Sequence, residues 1–442
     1  MRREHPPATP ARLDALRAPG AWGGAGQPRV IVALHEGFYG ASSGTGFSNR
    51  AFLTALARLL PVGRLAVITP HLPASSGTRD PRWTAEVQHM LKQAEAEIIT
   101  IPGGHAAVNS VHNCEQLCDL VGEVAVRIAS RSGRCLLIGL DVPFLGLAPY
   151  TPPAMELLLI PRSTAALTQP QDRNRVRWER AGLRAATTRG GRVGAISRHM
   201  RGHLIVSCGL RRSSVVEIPN GLILEETGKP SAVLPLPFPA RGGFLLAMGR
   251  PVPTKGFEDL LTALHILKDQ GIRLPHLLLA AATPDAADGP TPYQDRLASA
   301  MHEFGLDATL ITRFSPAIRS WLHSPALRAV VVPSREEPFG RVPLEAFAAG
   351  AGPVVATSAG GLAQTVVEGE TGFTSAPGDA ASLAVAIRRA VTVMPRQRAR
   401  LVQAGTALLR SRHDYEASIG SALDRIAPWA LAPIPAADSR AR

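Results

Sequence analysis

Between residues 29 and 430, short and nearly continuous apolar runs alternate with longer stretches whose apolar residues recur at helical spacing. The first run is Arg29-Val-Ile-Val-Ala-Leu-His35. A Gly/Ser-rich loop follows from Glu36 to Asn49, then a helix predicted over 48–60 with Phe52, Leu53, Leu56, Leu59 and Leu60 on its apolar side. Further strands are predicted at 64–69, 96–101, 135–140, 156–161, 192–197 and 214–219. The pattern restarts with Phe244-Leu-Leu-Ala-Met-Gly249, a Pro/Lys/Gly loop and a helix over 257–270, and continues with strands at 276–281, 308–312, 329–333 and 353–357. Alternation of this kind belongs to parallel sheets with helices on their faces. The expected fold is α/β, with two doubly wound domains over 28–224 and 244–412. Residues 225–243 carry several prolines and no period, a linker composition. Residues 1–27 and 432–442 lack periodicity and read as flexible tails. In doubly wound sheets ligands bind beyond the carboxyl ends of the strands, so the expected site is a cleft where two sets of loops face each other.

Composition agrees with this picture and adds a question of charge. Hydrophobic residues make up 45% and charged ones 19%, enough apolar material for two cores and too much for a disordered chain. The formal net charge is +13, which raises the prospect of an anionic partner. Lys occurs only at 92, 229, 255 and 268, so the basic residues are almost all Arg, as codon bias can produce. Most of the excess lies in 172–212, where Arg173, Arg177, Arg180 and Arg184 follow helical spacing and predict one basic face. Such a face suits an anionic membrane surface, an anionic acceptor, or simply water. A nucleic-acid partner is not expected, since no zinc-finger, RNA-recognition or helix-turn-helix signature accompanies the charge and aromatics are sparse.

Four cysteines make no disulfide framework in so long a chain and point to a reducing compartment. Cys114 and Cys118, with His105 and His112 nearby, fall short of a compact four-ligand zinc array, and no metal is expected. The segment Met1-Arg-Arg-Glu-His-Pro-Pro7 has no apolar signal region, and no run approaches the ~20 apolar residues of a membrane span. The expected location is the cytoplasm, with peripheral contact at the inner face of the membrane as a further option.

The densest polar cluster is Val331-Val-Pro-Ser-Arg-Glu-Glu-Pro-Phe-Gly-Arg-Val-Pro-Leu-Glu-Ala-Phe-Ala-Ala-Gly350. A buried strand ends at Pro333, a polar loop follows, and a helix begins at Val342 or Pro343, where proline is well tolerated. The N–H groups of Gly340, Arg341 and Val342 then face whatever lies above the strand, an arrangement that favours an anion. Glu337 and Glu345, eight positions apart, can both accept hydrogen bonds from the hydroxyls of one ligand. In the first half, Gly44-Thr-Gly46 directly precedes a helix, where a missing Cβ lets backbone approach a phosphate closely, or merely allows a tight turn.

Glu337 and Glu345 within Pro-Ser-x-x-Glu-Pro-Phe-Gly-x-x-x-Leu-Glu-Ala resemble the signature of the retaining GT-B glycosyltransferases of family four, the glycosyl transferases group 1. Gly352-Pro-Val-Val-Ala-Thr357, Gly360-Gly361 and Val367-Glu-Gly-Glu-Thr-Gly-Phe373 continue the resemblance. Upstream, Met248-Gly-Arg-Pro-Val-Pro-Thr-Lys-Gly-Phe257, Ala195-Ile-Ser-Arg-His-Met200 and Ile218-Pro-Asn-Gly221 are similar to further family segments, so that the likeness runs in order from about 29 to 430.

The resemblance implies a GT-B fold, two Rossmann-like domains facing across a cleft, with a last helix over 413–431 crossing back to the first domain. It implies a retaining, metal-independent transfer of a sugar from a nucleotide-diphosphate sugar to a small-molecule, saccharide or lipid acceptor, with no cofactor beyond that co-substrate. Arg250 and Lys255 would face the diphosphate and Glu337 the donor sugar, while Glu345 would hold the ribose. Gly44, Gly46, Gly249, Phe339, Gly340, Arg341 and Val342 would complete the donor site. Many relatives carry a His at the end of a first-domain strand; here Met155-Glu-Leu-Leu-Leu-Ile-Pro-Arg-Ser-Thr164 offers Arg162 and Ser163 instead. Arg162, Asp141 and His105 are therefore the acceptor candidates, with a turn cap as the alternative for Asp141. The rival readings are a non-catalytic nucleotide-sugar-binding protein and a basic protein that binds membrane surfaces or nucleic acid.

Overall fold

A computed structural model describes residues 26–41, 43–74, 76–103, 110–227, 234–283 and 289–433. His105 lies outside them. The N-terminal sheet has seven parallel strands in the order β3-β2-β1-β4-β5-β6-β7: β1 Arg29–Leu34, β2 Leu65–Pro70, β3 Glu97–Ile101, β4 Cys135–Leu140, β5 Glu156–Ile160, β6 Arg192–Ala195 and β7 Val215–Glu217. The second sheet has six, ordered β10-β9-β8-β11-β12-β13: β8 Phe244–Gly249, β9 His276–Thr283, β10 Ala308–Arg313, β11 Leu327–Val332, β12 Val354–Thr357 and β13 Gly372–Ser375. Both orders reverse direction beside their first strand, leaving a crevice at the carboxyl ends of β1 and β4 and of β8 and β11. Of these strands only β13 goes unpredicted, because four residues beginning with Gly are too short to show a period.

Apolar runs form central strands because both of their faces are covered. In β1, Val30, Val32 and Leu34 enter one core while Ile31 and Ala33 enter another. The first of these cores also holds Phe244, Leu246, Val330 and Val332 of the second sheet, so the two domains share hydrophobic material. The helices that cover the sheets and position the site are α1 Gly44–Leu59, α2 Pro81–Gln93, α3 Val111–Ala129, α4 Arg173–Thr188, α5 Arg198–Val206, α6 Phe257–Asp269, α7 Pro292–Glu303, α8 Val342–Ala348, α9 Ala380–Val391, α10 Pro395–Arg412 and α11 Tyr415–Ile426. Helix α1 begins four residues earlier than the apolar spacing indicates. Ser43 caps it by accepting from the Thr45 N–H at 3.2 Å, and Glu36 holds Ser43 through its N–H and hydroxyl at 3.0 and 2.9 Å, which outweighs two glycines in the first turn.

Strand β6 stops two residues before its predicted end because Ser197 turns to cap α5, accepting from the Met200 N–H at 3.0 Å. The second half of the 225–243 segment is anchored to the second domain, where Leu234 accepts from Trp321 Nε1 at 2.9 Å and donates to Ser320 Oγ at 3.0 Å.

Helix α4 carries Arg173, Arg177, Arg180 and Arg184 at the expected helical spacing, and several arginines of the segment also tie other loops to it. Arg184 Nε donates to the Cys208 carbonyl at 2.7 Å, and Arg189 donates to the carbonyls of Ala148, Thr151 and Met155 at 2.9, 2.7 and 3.1 Å. Arg175 pairs with buried Glu179 at 2.9 Å, whose other oxygen accepts from the Ala165 N–H at 2.6 Å. These arginines hold loops to α4, whereas Arg173, Arg177, Arg192, Arg198, Arg211 and Arg212 are exposed. Helical spacing says which side chains share a face, not whether another segment packs on it. Cys114 and Cys118 point into packed protein, and burial pushes both thiols up, Cys114 to about 11. Among the described residues no helix is long and apolar enough to cross a membrane, and no group of three His, Cys, Asp or Glu stands together as a metal site would need.

Helix α11 crosses from the second domain to the first, packing on α1. Its start is fixed by reciprocal bonds, Leu222 N–H to His413 O and Tyr415 N–H to Leu222 O, both 3.0 Å. Its end passes beneath the first sheet, where Arg64, only 2% exposed, donates from Nη1 to the carbonyls of Trp429, Ala430 and Ala432 at 2.8, 2.9 and 2.7 Å. Replacing Arg64 by Met leaves three carbonyls without their charged donor. The expected cost is on the order of 3 kcal/mol, read as a lower urea midpoint together with faster proteolysis of the C-terminal segment.

Candidate active site

A cleft between the two sheets is lined from both sides by residues that follow strand ends. The first domain contributes the start of α1 after β1, Arg162 and Ser163 after β5, and Asn220 after β7. The second contributes Met248, Gly249, Arg250, Thr254 and Lys255 around the end of β8, Phe314, Ser315, Ile318 and Arg319 after β10, and the β11–α8 loop.

That loop is locked in place before any ligand enters. Arg335 forms a fork with Asp259, Nε to Oδ2 at 2.7 Å and Nη2 to Oδ1 at 2.6 Å, and the Arg335 N–H donates to Thr254 O at 2.8 Å. Gly256 has φ +64, and a Cβ there would overlap the Pro333 carbonyl. Gly360 and Gly361 bring the β12 loop against the Glu337–Phe339 backbone, where Gly361 N–H donates to Glu337 O at 2.8 Å and a Cβ on either glycine would collide. The sequence motif around Glu337 thus requires the Gly-Gly pair more than twenty residues downstream.

Glu337 forms an ion pair with Lys255 Nζ, and Ser334 Oγ donates to the same carboxylate oxygen at 3.3 Å. Both charged side chains are largely buried, Lys255 21% and Glu337 14% exposed. Arg250 lines the same cleft from an exposed position and has no ion-pair partner among the described residues. Gly249, Phe339, Gly340, Arg341 and Val342 also line it. Gly340 has φ +88, which favours glycine, and the N–H groups of Gly340, Arg341 and Val342 have no protein acceptor among the described residues.

Glu345 is held by two arginines, Arg319 Nε to Oε2 at 2.9 Å and Arg341 Nε to Oε1 at 3.3 Å. Burial alone would raise its carboxyl, but the two guanidinium groups outweigh it and hold the acid below its ordinary value. Both arginines also reach the first domain. Arg341 Nη1 donates to Ser48 Oγ at 3.4 Å and Gly221 O at 3.3 Å, and Arg319 stands 3.9 Å over the ring of Phe47.

Several expected site residues have other work. Arg162 lines the cleft, but its guanidinium is consumed by Asn49 Oδ1 at 2.9 Å, the Tyr415 hydroxyl at 2.7 Å and Ser48 O at 3.3 Å. It ties α1 to α11 instead of standing open for an acceptor. Asp141 accepts from the Arg162 N–H at 2.9 Å and joins the ends of β4 and β5; burial pushes its carboxyl up to about 6. It bridges two strand ends, neither capping its own turn nor standing free. Gly44 lines the cleft, whereas Gly46 faces Glu36 and Ala41, which occupy the space a Cβ would need. Gly46 is a packing glycine because the helix starts at Gly44 and turns it away. Sequence reasoning missed Arg319, Ser48 and Asn220. Arg319 sits in a segment without a recognisable period, and Ser48 and Asn220 acquire meaning only when α1 and the Pro-Asn-Gly turn meet, Asn220 Nδ2 donating to Ser48 Oγ at 2.9 Å.

The family match falls in the second half of the chain. Residues 235–407 match the family described as Glycosyl transferases group 1. Those residues make up most of the second domain, which is where the family likeness lies. D-inositol 3-phosphate glycosyltransferase from Frankia alni is 30% identical over 292 residues, covering 64% of this chain and 66% of that protein. Glycogen synthase from Mycobacterium tuberculosis is 44% identical over 88 residues, 20% of this chain and 21% of that one. The chain thus matches between about a fifth and two thirds of the length of these curated relatives. Among solved structures, Anabaena Alr3699/HepE in complex with UDP and glucose superposes with a TM-score of 0.64 at 19% identity, covering 90% of this chain and 99% of that one. The fold is therefore GT-B, two Rossmann-like domains around a cleft, and the segment that matches the family supplies Arg250, Lys255, Glu337 and Glu345.

The twofold pairing of Glu345 has a measurable consequence. Glu345→Gln leaves two guanidinium groups facing each other without a counter-charge, and is expected to destabilise the protein by roughly 3 kcal/mol at pH 7. Because the folded protein holds this acid below its ordinary value, its contribution is present above the unfolded pKa of about 4.3 and is lost as pH falls through the lower folded one. Urea unfolding of wild type and variant should therefore differ at neutral pH, and the difference should shrink as pH falls below the unfolded value and through the lower folded one.

Proposed function

We propose that the chain is a retaining, metal-independent glycosyltransferase that moves a sugar from a nucleotide-diphosphate sugar to a hydroxyl-bearing acceptor. The observation that carries this reading is the meeting of Lys255, Arg250 and Glu337 at the strand ends of the domain with the group 1 likeness, beside backbone N–H groups without protein acceptors among the described residues. Breaking the bond between sugar and diphosphate places negative charge on the leaving group and positive charge on the sugar. Cations fixed before the reaction stabilise the first, and a carboxylate beside the sugar favours the second.

Lys255 is neutralised by Glu337 in the unliganded cleft. An arriving diphosphate would compete for the ammonium, with Arg250 as the second cation, and release Glu337 towards the sugar hydroxyls. Glu345, kept ionised by Arg319 and Arg341, would accept from the ribose hydroxyls. Retention then follows from attack on the same face the diphosphate leaves, the leaving phosphate oxygen taking the proton of the acceptor hydroxyl. The solved neighbour that holds UDP and glucose supports a nucleotide-sugar donor. The relative that acts on D-inositol 3-phosphate supports a small polar acceptor. The first-domain wall, with Thr45, Ser163 and Thr168, offers hydroxyls to such a molecule.

Thermal-shift and calorimetric titration with nucleoside diphosphates and their sugars tests the reading, followed by hydrolysis of the best donor. Lys255→Ala should weaken diphosphate binding roughly tenfold or more. Glu337→Gln should keep nucleoside diphosphate binding within about twofold and lower turnover by about a hundredfold. Turnover unchanged in both variants refutes the assignment, and donor binding without turnover in the wild type supports a non-catalytic binding protein instead.

A further inference from the structure

We propose that Ser197, in the first domain, is a positioning residue for Glu337 in the second, so that the carboxylate is correctly placed only while the domains are closed. The proposal rests on the function proposed above. Ser197 is buried and does not line the cleft, so it acts through other groups. Its hydroxyl oxygen accepts from the Met200 N–H at 3.0 Å as the cap of α5, which directs its single proton outward. That proton is donated across the domain boundary to the Pro338 carbonyl at 2.6 Å, one residue beyond Glu337.

The adjoining residues close on the same segment. The Arg198 N–H donates to Gln364 Oε1 at 3.0 Å, and His199 Nε2 lies 3.3 Å from Glu336 Oε1, on the other side of Glu337. His199 also packs beside Gly360, which touches the Glu337 carbonyl. Glu337 is thus held in two ways. Its charge is balanced within its own domain by Lys255, and its main chain is clasped by Gly361 from below and by the start of α5 from across the boundary. Opening the domains would leave the ion pair intact and free the backbone that aims it.

Three substitutions separate the clasp from the helix cap. Ser197→Ala removes both bonds, Ser197→Asp keeps a cap acceptor but has no proton for Pro338, and Ser197→Thr keeps both. Ala and Asp should lower kcat for donor hydrolysis roughly tenfold with KM and nucleoside diphosphate affinity within about twofold, and Thr should restore it. Ala, which loses the cap, and Asp, whose buried carboxylate would face the Pro338 carbonyl without a cation, should both lower Tm, so turnover is compared well below the Tm of each variant. Amide hydrogen exchange across 334–340 should accelerate in Ala and Asp and stay slow in Thr. Wild-type kcat and exchange in Ser197→Asp would overturn the proposal, as would a loss of turnover in Ala and Asp accompanied by an equal loss of nucleoside diphosphate affinity, which marks general damage to the site. A wild type that binds no nucleoside diphosphate and turns over no donor defeats the functional reading instead, and exchange in Ser197→Asp, accelerated or unchanged, still decides the clasp.

Discussion

A largely buried carboxylate is tolerable only beside a fixed cation, and this constraint organises the cleft. Glu337 and Glu345 both sit where water is mostly excluded, and each has its partners supplied by the second domain, Lys255 for one and Arg319 with Arg341 for the other. Without those cations, burial would drive the acids towards their neutral forms, and neither could serve as a charged acceptor. The loops that deliver the cations are therefore bound by the same requirement. Arg335 with Asp259, Gly256 against Pro333 and Gly361 against Glu337 hold the β8, β11 and β12 loops at one mutual distance.

A cleft built from two sheets also needs the sheets held in register, and small side-chain contacts at its rim would not do this alone. The shared core does more. Residues of β1, β8 and β11 join one apolar cluster with Tyr415, Ile419 and Leu423 of α11, so the crossing helix belongs to both domains. Arg162 then links that helix to the floor of the cleft through the Tyr415 hydroxyl and Asn49. Gly221 permits the approach, since a Cβ there would overlap the His413 backbone. The clasp at Ser197 lies on a framework already closed at the far end by α11 and Arg64.

What could be read from the chain depended on whether the signal was local. Strand positions were legible because both faces of each sheet are buried, which makes the apolar runs continuous; the Gly372–Ser375 strand was not, being too short for a period. Arg250 with Lys255, and Glu337 with Glu345, stood out as cleft residues because each pair lies in a short stretch that runs from a strand end through a loop to a helix start. The acceptor side was misread where the role depends on partners far away in sequence. Arg162 looked like an open cation until Tyr415, 253 residues later, took its guanidinium, and Gly46 looked like a phosphate loop until the helix start turned it towards Glu36. The bonds of Arg184 and Arg189 to carbonyls on other segments were likewise not legible, because no helical period can reveal them.

The choice between the two basic residue types follows the same logic. Arginine stands wherever several bonds must be held at once: Arg162 spans Asn49, Ser48 and Tyr415, Arg341 joins Glu345 to Ser48 and Gly221, and Arg319 combines an ion pair with stacking on Phe47. A planar fork with several donors suits such junctions and does not leave them easily. Lys255 is one of only four lysines in a chain otherwise served by arginine, and it occupies the place where the proposed chemistry requires a charge to change partners. An ammonium on a flexible stem is a point charge that can turn from Glu337 to a phosphate without breaking a directed network. An arginine there would bind both oxygens of Glu337 in a fork and oppose the exchange on which donor binding depends.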